Sequence, residues 1–311
     1  ISDNYAPGIG GGLAFWDNNS GSSAVLHNVT VENNLAQGDG GAVFGFNSNT
    51  TFEDCSLNNN VSNFRGGGAY FNGESMVSLQ SCEIIGNSAN ISGALMLEGQ
   101  AGLTMNRNLV VGNAATQSVG ALGMGSSGPK LVTNSTIYGN DGPNAGGIQI
   151  WSGEIEVINS ILWNNNSNDF NTVEGFVPVS ITYSNVQGGY DGQGNFDENP
   201  EFCNPAVGNY ELSNSSSSLF MGQDSSYVGF SPNPGCNESY SNYSLSFDGN
   251  DDQIELDPSF LNGLSEFTFQ AMFYSNQEQS GISNIIQHDG PDHDFYLRYE
   301  SGLFRAVQKH S

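Results

Sequence analysis

Alternating apolar and polar positions recur along the first half of the chain, and glycine, asparagine or serine separates one run from the next. In residues 29–31 and 93–97 this alternation is the period-2 pattern of a β-strand, which turns successive side chains to opposite faces. A glycine recurs every 25–29 residues and an asparagine every 25–27 residues: Gly12, Gly41, Gly68, Gly93, Gly120 and Gly147; Asn34, Asn60, Asn87, Asn113, Asn140 and Asn165. One period kept by two markers over six units indicates a stacked repeat.

Apolar columns appear when positions are counted from these markers. Three residues before each repeated asparagine stand Val31, Leu57, Ile84, Val110, Ile137 and Leu162, and eight before it stand Leu26, Phe52, Leu79, Met105, Val132 and Val157. A further column, apolar at all but one position, follows the repeated glycine: Phe15, Phe44, Phe71, Met96, Gly123 and Ile150. A helical repeat would show spacings of three and four and less glycine and asparagine. The columns therefore predict an all-β fold, a parallel β-helix with about 27 residues per coil and six to seven coils.

Both markers have a physical reason to recur. A glycine at the entry to a strand suits a positive φ or a close approach of another backbone, because it has no Cβ. Asparagine tolerates the left-handed region at a bend, and stacked amides can hydrogen-bond from coil to coil. We therefore expect the glycines at strand entries and the asparagines in a ladder.

The repeat units carry a family resemblance. HNVTVENNLAQGDGGAVF and TNSTIYGNDGPNAGGIQI resemble the right-handed parallel β-helix repeats of secreted and surface bacterial proteins, over residues 1–190. That superfold contains pectate lyases and polygalacturonases, and also adhesins without catalysis. The segment 191–240 resembles the terminal segment of such β-helices, with a DxxPxF turn, a Tyr-x-Leu strand and a closing Val-Gly. We expect it to cap the open end of the helix, where an unpaired edge would otherwise invite aggregation.

Residues 241–311 have no 27-residue period and contain alternating strands with hairpin turns. They resemble the start of a laminin-G-like or concanavalin A-like jelly roll, so we expect a truncated sandwich. The resemblance allows a calcium site at Asp248, Asp251 and Asp252; a solvated turn is the alternative. The segment 288–294 is interpreted as a polar hairpin turn rather than a metal site.

Charge and cysteines bound the setting. Six Lys or Arg against 32 Asp or Glu give a net charge of −26, which argues against nucleic acid and anionic membranes as partners. No stretch is long and apolar enough for membrane insertion. Cys203 and Cys236 lie in a loop-rich segment and predict a disulfide, whereas Cys55 and Cys82, in adjacent coils, are either bonded or two buried thiols. These features predict an extracellular or cell-surface protein, which we expect to be a monomer.

Candidate catalytic groups are few. Lyases of this superfold need a basic residue beside carboxylate-bound calcium, but Arg65, Arg107 and Lys130 do not share a face in the predicted coils. Glu154 and Glu156 lie on the same side of one strand, roughly 6–7 Å apart, which is near the carboxylate spacing of inverting glycosidases. Two solvated strand carboxylates are the alternative interpretation.

An apolar stripe is predicted on the outside of the β-helix. Two residues before the repeated asparagine stand Glu32, Asn58, Ile85, Val111, Tyr138 and Trp163. Because neighbours of an inward column point outward, the last four would expose apolar surface. Either the segment 171–240 folds back over it, or Tyr138 and Trp163 form a sugar-stacking strip.

These observations together predict a secreted or cell-surface modular protein for binding or adhesion, with polysaccharide or a cell-surface glycan as partner and no catalytic cofactor. The alternative is a polysaccharide-degrading enzyme, a glycoside hydrolase or lyase, acting on the β-helix surface. The chain begins inside a turn-rich unit, so we expect a fragment or a mature form.

Overall fold

The computed structural model describes residues 1–17, 23–166, 172–232 and 235–236, together with the backbone of three strands at 282–289, 293–300 and 303–310. The chain forms two compact units, Ile1–Ser241 and Asn242–Ser311. Each unit is described by itself.

The first unit is a parallel β-helix whose strands form four sheets. Sheet 1 contains Leu13–Trp16, Val43–Phe46, Ala69–Asn72, Leu95–Leu97, Leu122–Met124, Ile148–Ile150 and Val173–Gly175. Sheet 2 contains Ser23–His27, Asn49–Glu53, Met76–Gln80, Gly102–Asn106, Lys130–Thr133, Ile155–Ile158 and Val179–Thr182. Sheet 3 contains Thr30–Glu32, Ser56–Asn58, Glu83–Ile85, Leu109–Val111, Thr136–Tyr138, Ile161–Trp163 and Asn185–Val186. Sheet 4 contains Tyr5–Ala6, Leu35–Ala36, Val61–Ser62, Ser88–Ala89 and Ala114–Ala115. Seven strands in each of the first three sheets mean seven coils, which confirms the predicted architecture.

The two columns counted from the asparagines are in register. Leu57 pairs with Val31 and Ile84 in sheet 3, and Leu79 pairs with Phe52 and Met105 in sheet 2. Both columns point inward and form one continuous core along the axis, in which Phe52 meets Phe71 edge-on at 6.4 Å. Every coil therefore buries its apolar side chains against the coils before and after it.

The column counted from the repeated glycine is wrong in three coils. The glycines that stack are Gly11, Gly41, Gly67, Gly93, Gly120 and Gly146, whereas the counted markers Gly12, Gly68 and Gly147 each lie one residue later. An offset of three residues is therefore inward after these three markers and outward after Gly41, Gly93 and Gly120. A slip of one residue moves every side chain to the other face of a strand. Phe71 therefore points inward as predicted, whereas Phe44 and Met96 point outward.

These stacked glycines are required by a close backbone approach. A Cβ on Gly41 would lie 2.2 Å from the carbonyl oxygen of Gly67, and one on Gly67 would lie 2.5 Å from that of Gly93. The positive φ falls one residue earlier, with 72° at Gly40 and 65° at Gly66. The two reasons expected for a glycine thus apply to neighbouring positions.

The asparagines form the expected ladder. Asn60 donates from Nδ2 to Asn87 Oδ1 at 3.0 Å, Asn87 to Asn113 at 2.9 Å, and Asn113 to Asn140 at 2.9 Å. Each Oδ1 also accepts the backbone N–H of the asparagine in the preceding coil. The expected left-handed conformation lies instead at the residue before each asparagine, for example Asn59 at φ 54°. The reason is that the amide must point along the axis to reach its neighbour, and the bend is made beside it.

The segment after the last coil lies against the outer face of sheet 3. It contains an antiparallel pair, Phe202–Asn204 with Asn209–Leu212, and three short 3-10 helices, Pro205–Val207, Ser217–Leu219 and Gln223–Ser225. Its end is tied to the β-helix, since Gly229 donates its N–H to Asn159 O at 2.8 Å. We call residues 196–232 the cap. It covers the outer side of sheet 3, whereas the sequence led us to expect a cover over the open end of the helix.

In the second unit the structure describes three strands, Ile282–Asp289, His293–Glu300 and Leu303–His310, which form an antiparallel sheet. Asp289 pairs with Asp294, as expected for strands on either side of the predicted hairpin turn, whose residues 290–292 lie outside the described ones. The expected jelly roll extends over residues outside the described ones. None of the helices in the described part of the chain has the length and hydrophobicity needed to cross a membrane.

Candidate functional site

The outer face of sheet 1 carries side chains unlike those of an ordinary solvated strand. One outward column runs through Ala14, Phe44, Tyr70, Met96, Gly123, Gln149 and Glu174. A second column pairs Trp16, Phe46 and Asn72. Glu98, Gly125 and Trp151 continue it, as the backbone bonds from each of their N–H groups to the neighbouring coil indicate. We call this surface the sheet 1 face.

Aromatic rings form a row along the first three coils of this face. Trp16 stacks on Phe46 at 4.8 Å and on Phe44 at 5.6 Å between ring centroids, and Phe44 stacks on Tyr70 at 5.6 Å. Trp16 stands on an outward position and is 58% exposed. Phe44 and Tyr70 are buried in this row, so Trp16 and the half-buried Phe46 present its flat apolar surface to solvent, and an exposed aromatic surface of this kind usually marks a binding site.

An ionic network crosses the middle of the face. Arg65 donates from Nε and Nη2 to the two oxygens of Asp39 at 2.9 and 2.8 Å, and from Nη1 to Glu98 at 2.5 Å. The hydroxyl of Tyr70 donates to Glu98 at 2.7 Å, and the Arg65 guanidinium lies 4.6 Å from the Tyr70 ring centroid. Each Arg65–carboxylate bond is charge-assisted, and the one to Asp39 is bidentate.

The protonation of this network follows from its geometry. Burial lowers the pKa of Arg65, but the bond to Asp39 and the surrounding negative charges outweigh it and leave the pKa above its ordinary value. Burial and the bond to Glu98 raise the pKa of Tyr70 as well. At neutral pH Arg65 is therefore a cation and Tyr70 a protonated donor, and neither group can serve as a base.

A cleft of about 420 Å³ follows the network along the face. Gly125 lies in its floor, Glu98 and Trp151 stand on its sides, and Gln117 and Ser118 line it from the neighbouring loop. The glycine leaves space where the coils on either side carry long side chains. A Cβ on Gly125 would stand only 3.3 Å from Leu97 O and 3.6 Å from Glu98 Cγ.

The carboxylates singled out in the sequence lie elsewhere. Glu154 and Glu156 are both exposed on the outer side of sheet 2, and Glu156 is flanked by Leu131 and Ser180 in the adjacent strands. Within the described residues, no group of three or more His, Cys, Asp or Glu side chains is arranged to hold a metal ion. The calcium candidates Asp248, Asp251 and Asp252 lie outside the described residues.

The aromatic pair Tyr138 and Trp163 lies under the cap. Tyr138 is half-buried, with Phe202 at 5.4 Å and Tyr210 at 5.1 Å between centroids. Trp163 packs in a cluster with Phe196 and Leu219 of the cap. Both aromatics therefore pack against the chain's own cap, which is the self-covered alternative to the predicted sugar-stacking strip.

The cysteines divide into one bonded pair and two thiols. Cys203 and Cys236 form a disulfide with a Cα–Cα distance of 5.1 Å. Cys55 and Cys82 are free and buried in adjacent coils, so the disulfide considered for them is not formed. Burial raises the pKa of Cys82 to about 12, and its thiol donates to Gln80 O at 3.3 Å.

The basic residues of the β-helix lie apart. Lys130 points inward and donates its ammonium to Ser126 O, Gly128 O and Ser152 O at 2.7, 2.8 and 3.2 Å. Arg107 is exposed at the turn from sheet 2 to sheet 3. The sequence set Arg65 apart from Arg107 and Lys130 and did not reveal the face that Arg65 reaches. The outward column of Phe44, Tyr70 and Met96 would have revealed it if the glycine register had been right.

Comparisons with known proteins agree with this fold. No curated protein and no solved structure matches the chain. A family model described as the right handed beta helix region matches residues 1–162, which is more than half of the 311 residues. The chain therefore belongs to the right-handed β-helix family.

Proposed function

We propose that this protein binds polysaccharide on the sheet 1 face, outside the cell or at its surface, and that it does so without catalysis. The observation that carries the proposal is the row of stacked aromatic rings that leads to a glycine-floored cleft. Family membership links the chain to polysaccharide-related proteins and does not distinguish binding from cleavage. A cleft with apolar walls and a few polar groups is the usual form of a binding site.

Binding is favoured over cleavage because the ionisable groups of the face are already paired. Hydrolysis of a glycosidic bond needs one carboxyl group that can give a proton and a second that can attack or activate water. Glu98 accepts bonds from Arg65 and Tyr70, and Asp39 is held by both ends of its carboxylate. These contacts hold both side chains in place, so they suit a structural role in the face.

The test uses affinity electrophoresis of the whole chain in gels that contain soluble polysaccharides. We expect retardation by at least one polysaccharide, and a marked loss of it in Trp151→Ala and Trp16→Ala. Phe220→Ala is the matched control, because Phe220 is an equally exposed aromatic residue, at 61%, on the cap. If all three variants bind like the wild type, the face is not the site.

The enzymatic alternative is tested on the same panel. Release of new reducing ends, or of unsaturated products, would establish a glycoside hydrolase or lyase, and its loss in Glu154→Gln and Glu156→Gln would place the chemistry on sheet 2. We expect no release. We also propose that Asp248, Asp251 and Asp252 bind calcium. Equilibrium dialysis tests this by comparing the wild type with a variant in which all three are changed to Asn.

A further inference from the structure

We infer that the polysaccharide bound on the sheet 1 face is uncharged and that polyuronates are excluded from it, an inference that rests on the proposed function. A polyuronate carries a carboxylate on every sugar. A site that takes one must supply positive charge, as basic side chains or as bound cations. Both sources of positive charge depend on the side chains that the sheet 1 face carries.

Among the described residues of the β-helix unit, no basic side chain offers a free positive charge to this face. Arg65 is the one that reaches it, and Asp39 and Glu98 already take its Nε, Nη1 and Nη2 donors. Lys130 is turned into the core, where three backbone carbonyls accept its ammonium. Arg107 lies at the turn between sheets 2 and 3.

Negative charge exceeds positive charge on the face. Glu98 stands beside the cleft, Asp39 shares its arginine, and Glu174 continues the outward column next to Gln149. Three carboxylates against one guanidinium leave an excess of two negative charges, in a chain whose net charge is −26. Like charges repel, and a polyuronate that lies along the face meets this repulsion at Asp39, Glu98 and Glu174.

Cation-bridged recognition lacks its ligands as well. Calcium prefers six to eight oxygen ligands with several carboxylates among them. In the part of the chain that the structure describes, no cluster of three such side chains is present to hold the ion. Asp39 and Glu98 are not open to it, because Arg65 occupies the space between them.

The groups that line the cleft suit sugar hydroxyls and ring C–H faces. Trp151 offers a flat apolar wall, the exposed Gln117 offers an amide, and Gly125 leaves room between them, while the Ser118 hydroxyl is already bonded to Gln149. A cleft of about 420 Å³ is in the range of small-molecule sites and can hold one or two sugar rings. Trp16 and Phe46 extend the apolar surface, so further sugars of the same chain can stack along the axis.

The experiment compares two sets of polysaccharides by affinity electrophoresis of the whole protein at low salt. The uncharged set is a galactomannan, a xylan without uronate branches and a mixed-linkage β-glucan. The charged set is polygalacturonate and alginate, each with and without millimolar calcium. We expect retention by at least one uncharged polymer, and retention roughly tenfold or more weaker for both polyuronates, because charge repulsion opposes them.

Two variants assign the effect to the face. Gly125→Val fills the cleft and should abolish retention by the uncharged polymer, with Trp151→Ala as the second test if the valine variant does not fold. Glu98→Gln keeps the size of the side chain and removes one negative charge, so it should raise binding to polygalacturonate severalfold. Glu156→Gln on sheet 2 removes the same charge elsewhere and should not.

The outcomes separate the two proposals. If the wild type is retained more strongly by a polyuronate, and Trp151→Ala or Gly125→Val removes that retention, the site stands and its inferred selectivity is wrong. If neither set retards the protein, the proposed function fails and the inference falls with it.

Discussion

Replacing Asn113 by alanine tests whether the asparagine ladder is a major source of stability in the β-helix. Asn113 is fully buried in the middle of the ladder. Its Oδ1 accepts the backbone N–H and the Nδ2 of Asn87, both at 2.9 Å. Its Nδ2 donates to Asn140 Oδ1, Ile84 O and Val111 O at 2.9, 2.8 and 3.2 Å. Alanine removes all five bonds.

The size of the loss follows from what the partners retain. Five buried bonds at a net ~1 kcal/mol each would give about 5 kcal/mol. Three partners keep another bond, because Asn140 Oδ1 still accepts the backbone N–H of residue 113, Asn87 Nδ2 still donates to Leu57 O, and Val111 O still accepts the N–H of Gly86. We therefore expect the free energy of unfolding to fall by about 3–4 kcal/mol.

The assay is guanidinium-induced unfolding followed by circular dichroism and tryptophan fluorescence, with the midpoint compared at unchanged slope. Asn90→Ala is the control, since its amide makes its bonds at the surface, where Nδ2 donates to Asn63 O and Oδ1 accepts from Thr116 Oγ1; it should cost less than about 1 kcal/mol. A loss below about 1 kcal/mol for Asn113→Ala would refute the reasoning. It would mean that the ladder bonds are no better than the bonds to water that they replace.

Four further tests concern the packing of the cap, its disulfide, the buried thiol of Cys82 and the inward Lys130. Phe202→Ala removes the ring that packs between Tyr138 and Tyr210 and should cost about 2–4 kcal/mol and make residues 196–232 sensitive to protease; unchanged resistance would contradict the packing. Mass spectrometry should find Cys203 and Cys236 bonded, and their loss should weaken the cap by about 3–4 kcal/mol. Cys82, with its pKa raised to about 12, should resist alkylation at pH 8 until the protein unfolds, and rapid labelling of the folded protein would refute its burial. Lys130→Met keeps the apolar stem but unpairs three carbonyl oxygens, so it should cost about 2 kcal/mol or more; equal stability would show that desolvation of the ammonium cancels its bonds.

The sequence alone was enough to establish the β-helix and its core. The inward columns that contain Leu57 and Leu79 could be counted because each coil must bury an apolar side chain at the same position. An irregular unit is therefore recognised by comparison with the others. The asparagine column was equally clear, since a buried amide ladder accepts few other side chains. Both features depend on local spacing, and the same spacing occurs in each repeat unit.

The sheet 1 face depended on register, which the sequence left ambiguous. Adjacent glycines, such as Gly40 and Gly41, serve different needs, one a positive φ and the other a close backbone approach. The counted markers mixed two positions, so an offset of three residues that is inward after Gly12 is outward after Gly41 and wrongly placed Phe44 in the core. Because side chains alternate strictly along a strand, that single step concealed the aromatic row.

Contacts between distant residues were decided by the tertiary structure. Arg65 lies 26 residues from Asp39 and 33 from Glu98, and only the stacking of coils and the path of a loop bring the three together. The sequence showed that Tyr138 and Trp163 needed a cover but allowed both the chain's own tail and a sugar. In the structure the cap covers them, because Phe202, Tyr210 and Leu219 bury apolar surface against this side of the helix. The sequence could not show this, since the burial depends on where a non-repeating segment folds.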